Sequence, residues 1–292
     1  MYHTSSCGAH SINRPAERWH TDAMRIHVLQ VAYGDDEPVA DRVERVAGLV
    51  AAQAGADLVV LPELWAAGGF SYREWADRAE LVDGPTVTAI AAAARRIGAV
   101  VHAGSIVERA PDGAAGAQLG REGRGRWNTS VLLGPDGGVL ATYRKIHRFG
   151  FGAGEPTLLE AGEEIVTATL PGGAVVGLAT CYDVRFPELF RRLVDVGARL
   201  VLLPAAWPAA RVDAWTLLGR ARAIEDQFVV VQCNTAGTHA GVTMGGRSQI
   251  VTATGEVLAE AGDGEEVLVA DVDLAEVDAW RARFPVLADR RL

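Results

Sequence analysis

Three side chains of complementary chemistry each stand at the end of an apolar run. Glu63 closes DLVVLPE (57–63), Lys145 closes GVLATYRK (138–145) and Cys181 follows AVVGLAT (174–180). A carboxylate buried against apolar strand residues is pushed towards the pKa of a useful general base. An ammonium can hold negative charge developing on a carbonyl oxygen, and a thiol is a nucleophile once its proton is removed. Cys181 precedes a segment with Pro187 in its first helical turn. The sulfur is therefore expected near the positive end of a helix dipole, with a lowered pKa, in the crevice where α/β sheets bind ligands. Singly, each residue has a plainer reading: a small buried core cysteine, a turn or helix-capping carboxylate, a surface lysine at a strand end. Jointly, each at its own strand end, they read as base, electrostatic stabiliser and nucleophile. Of the other cysteines, Cys233 in FVVVQC reads as core and Cys7 lies in the polar N-terminal stretch.

The elements that must position these groups follow from periodicity. RIHVLQVA alternates as a half-buried strand, and VADRVERVAGLVAAQAG sets Val39, Val43, Val46 and Val50 on one helical face before Gly55. After DLVVLPE come a helix over 86–97, a strand over 98–107, and the strands WNTSVLLG and GVLATYRK joined by the turn residues PDG. Strands over 165–170 and 174–180 precede a helix over 187–196, the strand RLVLLPA, a helix over 211–225 and the strand FVVVQC. A strand pair around ATGE and a strand and helix over 265–284 close the pattern. Several strands read as hairpin-joined, which predicts one α/β domain of mixed sheets with helices outside. The Gly-, Ala- and Arg-rich segment 108–127 interrupts the rhythm as a flap, a subunit contact or a tolerated insertion.

Composition narrows the function classes. The 292 residues are 49% hydrophobic and 22% charged, enough for a large core, with a net charge of -9. That balance argues against nucleic acid or an anionic membrane as partner, and for a small molecule or another protein. Three cysteines make no disulfide framework or metal ribbon, which fits a reducing cytoplasm. No apolar run reaches membrane-spanning length, and residues 1–23 lack the apolar middle of a signal peptide. That stretch holds His3, His10 and His20, so a metal-binding tail is conceivable, but its polarity predicts an unstructured leader with the folded domain over 24–292.

LPELW, YRKIHRFG and TCYDVRFPEL, in that order, resemble the three signature blocks of the carbon-nitrogen hydrolases, the nitrilase superfamily. The likeness runs from Met24 to the end, through PAAWP (204–208), GRARAIEDQ (219–227), ATGEVLAEAG and FPVLADRR. It implies a four-layer α-β-β-α sandwich that pairs into a dimer or larger homo-oligomer across the helical face after the cysteine. It also implies a Glu63–Lys145–Cys181 triad working without metal or organic cofactor, with Glu155 in GAGEPTLLEAG as a second glutamate. Glu63 would take the thiol proton, Cys181 would attack an amide carbonyl, and Lys145 with the backbone N–H after the nucleophile would hold the oxyanion. Ammonia or an amine would leave, and water would hydrolyse the thioester. CYDVRFPEL is closest to the ω-amidase and deaminated-glutathione amidase branches, so the substrate implied is a small amide, above all an ω-amide of a carboxylic acid. An N-carbamoyl amino acid amidohydrolase and a nitrilase share the triad, and a non-catalytic binding protein shares the fold.

Arg185 has two readings, a fork for a substrate carboxylate or an ion pair with Asp183, Glu188 or another carboxylate. Tyr182, Phe149 and Trp207 are candidate pocket residues, or core aromatics. Three features depart from the amidase pattern: Arg148 and Gly150 after the lysine-block histidine, a loop shortened to GFGAG before Glu155, and Ala214 in RVDAWTLL.

Overall fold

The computed structural model describes residues 23–291; residues 1–22 and 292, and with them His3, Cys7, His10, His20 and nearly all of the expected leader, lie outside the described residues. In chain order the elements are β1 (Ala23–Gln30), α1 (Val39–Ala51), β2 (Leu58–Val60), α2 (Pro85–Ile97), β3 (Val100–Arg109), β4 (Arg126–Leu133) and β5 (Val139–Arg144). There follow α3 (Glu155–Leu158), β6 (Thr167–Thr169), β7 (Val175–Leu178), α4 (Pro187–Asp195), β8 (Leu200–Ala205), α5 (Val212–Asp226) and β9 (Val229–Asn234). A small hairpin of β10 (Thr238–His239) and β11 (Val242–Thr243) precedes β12 (Gln249–Val251), β13 (Val257–Glu260), β14 (Glu266–Asp273) and α6 (Ala275–Arg283).

Two six-stranded sheets result, in the orders β14-β1-β2-β3-β4-β5 and β13-β12-β9-β8-β7-β6. Strands β1, β2 and β3 are parallel, as are β7, β8 and β9, while antiparallel strands flank both sets. Strand alternation decides which side chain goes where. Ile26, Val28, Leu58 and Val60 of the first sheet meet Val176, Leu178, Leu200, Leu202, Val229 and Val231 of the second in a core between the sheets. The alternate residues Val59 and Leu61 face outwards to Val46 and Val50 of α1 and Ile90 of α2. Val201, Leu203 and Val230 do the same towards Leu189 and Phe190 of α4 and Trp215 of α5. Each fully buried aliphatic side chain contributes about 1.5–3 kcal/mol to this arrangement. The layers are α1/α2, sheet, sheet, α4/α5, which is the expected α-β-β-α sandwich in one domain.

Strand β5 is antiparallel to β4, itself antiparallel to β3, so the carboxyl end of β5 lies at the same rim as those of β2 and β3. Glu63 and Lys145 therefore leave the first sheet at one edge. Across the sandwich, the Glu63 N–H donates to the carbonyl of Ala205 at the end of β8 (3.3 Å), so the carboxyl ends of both parallel sets meet there. The interruption expected over 108–127 is shorter, because β3 runs on to Arg109 and β4 begins at Arg126; the loop between them has one short 3-10 turn, Gly116–Leu119. The Glu160 carboxylate accepts the N–H groups of Glu122 (3.0 Å) and Arg124 (2.7 Å) and fixes it.

Candidate active site

Each candidate residue is delivered by an irregularity just past a strand. Beyond β2, Leu64 takes a left-handed φ of 46°, which turns the chain at Glu63, and its N–H donates to Ser105 Oγ (3.1 Å) on β3. Gly104, φ 73°, lets β3 approach from behind: a Cβ there would lie 2.0 Å from the Pro62 carbonyl oxygen. Lys145 follows β5 directly, with its N–H donating to the Asn128 carbonyl (2.8 Å). Cys181 opens a five-residue 3-10 turn, Cys181–Arg185, at φ 48°. Such a backbone costs an L-residue about 1–2 kcal/mol, strain that the surrounding structure has to over-determine.

Asp183 supplies that determination. Fully buried, its carboxylate accepts the Thr180 N–H (2.8 Å) and the Tyr143 hydroxyl (2.7 Å) on Oδ2, and the N–H (3.0 Å) and Nδ1 (2.7 Å) of His147 on Oδ1. One side chain thus ties the segment after Lys145 to the turn that carries Cys181. The His147 ring also stacks on Phe186, centroids 3.7 Å apart.

Lys145, 2% exposed, donates from Nζ to Glu63 Oε1 (2.7 Å) and to Glu155 Oε2 (2.9 Å) and Oε1 (3.1 Å). Asn128 Nδ2 bridges the same two carboxylates, 2.8 Å to Glu63 Oε1 and 2.7 Å to Glu155 Oε1. Glu63 Oε2 accepts the Ala206 N–H (2.8 Å), and Glu155 Oε2 accepts the Phe149 N–H. Burial alone would push the Lys145 ammonium down, but the Glu155 and Glu63 charges outweigh it and hold its pKa well above the ordinary lysine value. Burial raises Glu155, against the pull of Lys145.

The thiol departs from the sequence reading. Burial first, then the Glu63 charge, push the Cys181 pKa well above the ordinary thiol value, with Lys145 opposing them. The expected helix dipole does not act on it, because the 3-10 turn stands between Cys181 and α4, whose first residue is Pro187. Cys181 is therefore a protonated thiol at rest, 7% exposed, beside a carboxylate that can accept its proton.

All four candidate substrate contacts converge on the sulfur. Phe149, Tyr182, Arg185 and Trp207 line one cavity with Cys181. Arg185 lies over the Trp207 ring, 4.9 Å from its centroid. Among the described residues no carboxylate pairs with Arg185, and Asp183, the partner weighed for it, is turned inwards to Tyr143 and His147. Sequence reasoning missed Asn128, whose signal was an amide inside a buried strand, and Arg211, which lines the same cavity and was read only as the start of the helix over 211–225; it ends a short 3-10 turn, Ala209–Arg211, just before α5. Arg148, one departure from the amidase pattern, pairs with Glu122 (2.8 Å) of the 108–127 loop, so the two sequence irregularities meet each other. Ala214 packs against the outer core of the second sheet. Among the described residues no helix is long and apolar enough to cross a membrane, and no cluster of His, Cys, Asp or Glu could hold a metal ion.

The family model for carbon-nitrogen hydrolase matches residues 25–282. A 2-oxoglutaramate amidase of Paenarthrobacter nicotinovorans is 45% identical over 271 residues, 92% of this chain and 90% of the relative. A CN-hydrolase superfamily protein of Xanthomonas campestris, solved with an arsenic adduct in its active site, superposes with a TM-score of 0.81 at 32% identity, over 92% of this chain and 98% of that one. A variant of the Nesterenkonia amidase, bearing the acetamide moiety of fluoroacetamide on its active-site cysteine, gives a TM-score of 0.75 at 28% identity, over 94% and 96% of the two chains.

Proposed function

We propose, on the premise that this chain belongs to the carbon-nitrogen hydrolase family, that it hydrolyses the ω-amide of a small carboxylic acid through a thioester on Cys181. The observation that carries this reading is Lys145, buried between Glu63 and Glu155 with the Cys181 sulfur on the cavity beside them. Because the thiol is protonated at rest, Glu63 takes its proton as the sulfur attacks the amide carbon. Lys145 and the Tyr182 N–H stabilise the tetrahedral oxyanion. The proton held on Glu63 passes to the departing nitrogen, ammonia leaves, and Glu63 then deprotonates the water that hydrolyses the thioester. Glu155 keeps Lys145 charged and aimed. Arg185, free of an ion pair among the described residues, binds the distal carboxylate of the substrate over the face of Trp207.

Two observations support the substrate class. The 45% identical relative is a 2-oxoglutaramate amidase, and the cavity at Cys181 has a guanidinium at its wall. The working unit is a homodimer paired through α4 and α5, where Leu217 and Ile224 stand 67% and 50% exposed. The free thiols Cys181 and Cys233 suit a cytoplasmic setting.

Ammonia release from 2-oxoglutaramate, measured with wild type and Cys181→Ala, tests the reading. Turnover should fall by about 10⁴-fold or more in the variant, and intact mass spectrometry of the quenched wild type should show an acyl adduct on Cys181. Retained turnover in the variant would remove the mechanism.

A further inference from the structure

A single guanidinium accounts for one carboxylate, but the cavity at Cys181 is lined by two, Arg185 and Arg211. Arg185 lies 4.9 Å from the Trp207 ring centroid. The indole N–H of the same Trp207 donates to the backbone carbonyl of Arg211 (2.7 Å), and the Arg211 guanidinium lies 5.3 Å from the Phe149 ring centroid. Phe149 in turn gives its N–H to Glu155, which holds Lys145. Both cations are thus placed relative to the reacting centre by the residues that build its wall. Several other arginines are paired, as Arg42 and Arg45 are with Glu37. Among the described residues Arg185 and Arg211 have no carboxylate partner, and no acidic side chain lines the cavity with them. The nearest carboxylates by role, Glu63 and Glu155, are occupied by Lys145 and Asn128.

This wall has a chemical consequence. A substrate carboxylate gripped by Arg185 neutralises one cation and leaves the other facing the carbon next to that carboxylate. A carbonyl oxygen at that carbon accepts from the Arg211 fork, and a methylene is indifferent to it. An ammonium there meets an uncompensated positive charge and finds no acceptor to replace its water. Resting on the ω-amidase reading, we infer that Arg211 is a specificity-determining residue that, beside Arg185, admits ω-amides whose carboxylate end carries no ammonium and refuses the corresponding α-amino acids, glutamine foremost. The enzyme thereby avoids the amide that most resembles its substrate.

The test is kcat/KM for 2-oxoglutaramate, for glutaramate with no substituent at that carbon, and for L-glutamine, on wild type, Arg211→Met and Arg211→Lys. Methionine keeps the apolar stem, and the Trp207 bond to the Arg211 backbone does not depend on the side chain. The wild type is expected to favour both ammonium-free amides over glutamine by about tenfold or more, because both guanidinium groups stand exposed at the cavity wall and solvent screens them. In Arg211→Met that preference should largely disappear, through a raised KM for 2-oxoglutaramate and a lowered one for glutamine with glutaramate little changed, and Arg211→Lys should restore most of it. Equal losses on all three substrates in Arg211→Met, or a wild type that hydrolyses glutamine as well as glutaramate, would overturn the inference. Failure of the ω-amidase reading looks different: the wild type would hydrolyse none of the three and form no adduct on Cys181.

Discussion

The Lys145 ammonium is fixed by two carboxylates, themselves bridged by one amide, before any substrate arrives, so the charge proposed to meet the oxyanion needs no reorganisation. Asn128 is the residue that makes this affordable, since its Nδ2 draws together two carboxylates that would otherwise repel. Asn128→Ala is expected to lower kcat by about 10²-fold and stability by about 1–3 kcal/mol, measured by steady-state kinetics and urea unfolding. A near-normal kcat in a folded variant would make Asn128 a bystander. The thiol gives a sharper check. Burial and the Glu63 charge hold its pKa above the ordinary value of 9.0, so the ultraviolet thiolate absorbance lost in Cys181→Ala should stay absent in wild type until the pH passes 9.0. Glu63→Gln removes one of the two causes and should move that titration downwards while abolishing turnover. Thiolate visible at neutral pH in wild type would contradict the proposed proton transfer. Glu63, Lys145 and Cys181 were legible in the sequence because each ends an apolar run. The thiol's resting state was not, because it depends on a carboxylate 118 positions away in the chain (181 − 63) that only the fold brings alongside.

Among the elements, β3 carries a position that tolerates no side chain. Gly104 admits no side chain against Pro62, and its N–H donates to Nδ1 of His102, which is fully buried. Burial depresses the His102 pKa from 6.5 to about 3. Below pH 6.5 the unfolded chain therefore binds a proton that the fold refuses. The stability tied to the neutral ring is complete above pH 6.5 and is lost as the pH falls towards 3. Denaturant unfolding between pH 7 and pH 4 should show wild type losing stability faster than His102→Leu, by up to about 1.4 kcal/mol per pH unit. Parallel slopes would mean that the ring is protonated within the fold. The strands, with their inward and outward alternation, were readable from sequence because each sheet has a distinct apolar partner on either side. The breaks at Leu64 and Cys181 were not, since left-handed backbone at a leucine or a cysteine leaves no compositional mark. Helix α4, expected over 187–196, runs Pro187–Asp195, but the 3-10 turn Cys181–Arg185 before it was not readable, because it is held by Asp183, whose partners Tyr143 and His147 lie far back in the sequence.

At the scale of the whole molecule, the site is split between two sheets, with Glu63 and Lys145 leaving the first and Cys181 the second. The outer helices α4 and α5 leave Leu217 and Ile224 exposed, and the proposed homodimer would cover them. Sedimentation velocity should show a dimer for wild type and a shift to monomer for the double variant Leu217→Glu, Ile224→Glu; a monomeric wild type would discard that pairing. The same division of the chain governs how the protein comes into being. Strand β14 pairs with β1 along its full length, Ala23 with Asp273 through Gln30 with Glu266, so the last strand of the chain completes the sheet that the first one began. A ribosome emits β1 long before β14, and until then β1 presents an open edge able to accept a foreign strand. Until the carboxyl-terminal strand has emerged, the first sheet therefore stands one strand short, and the nascent chain carries that open edge with Cys181 already made.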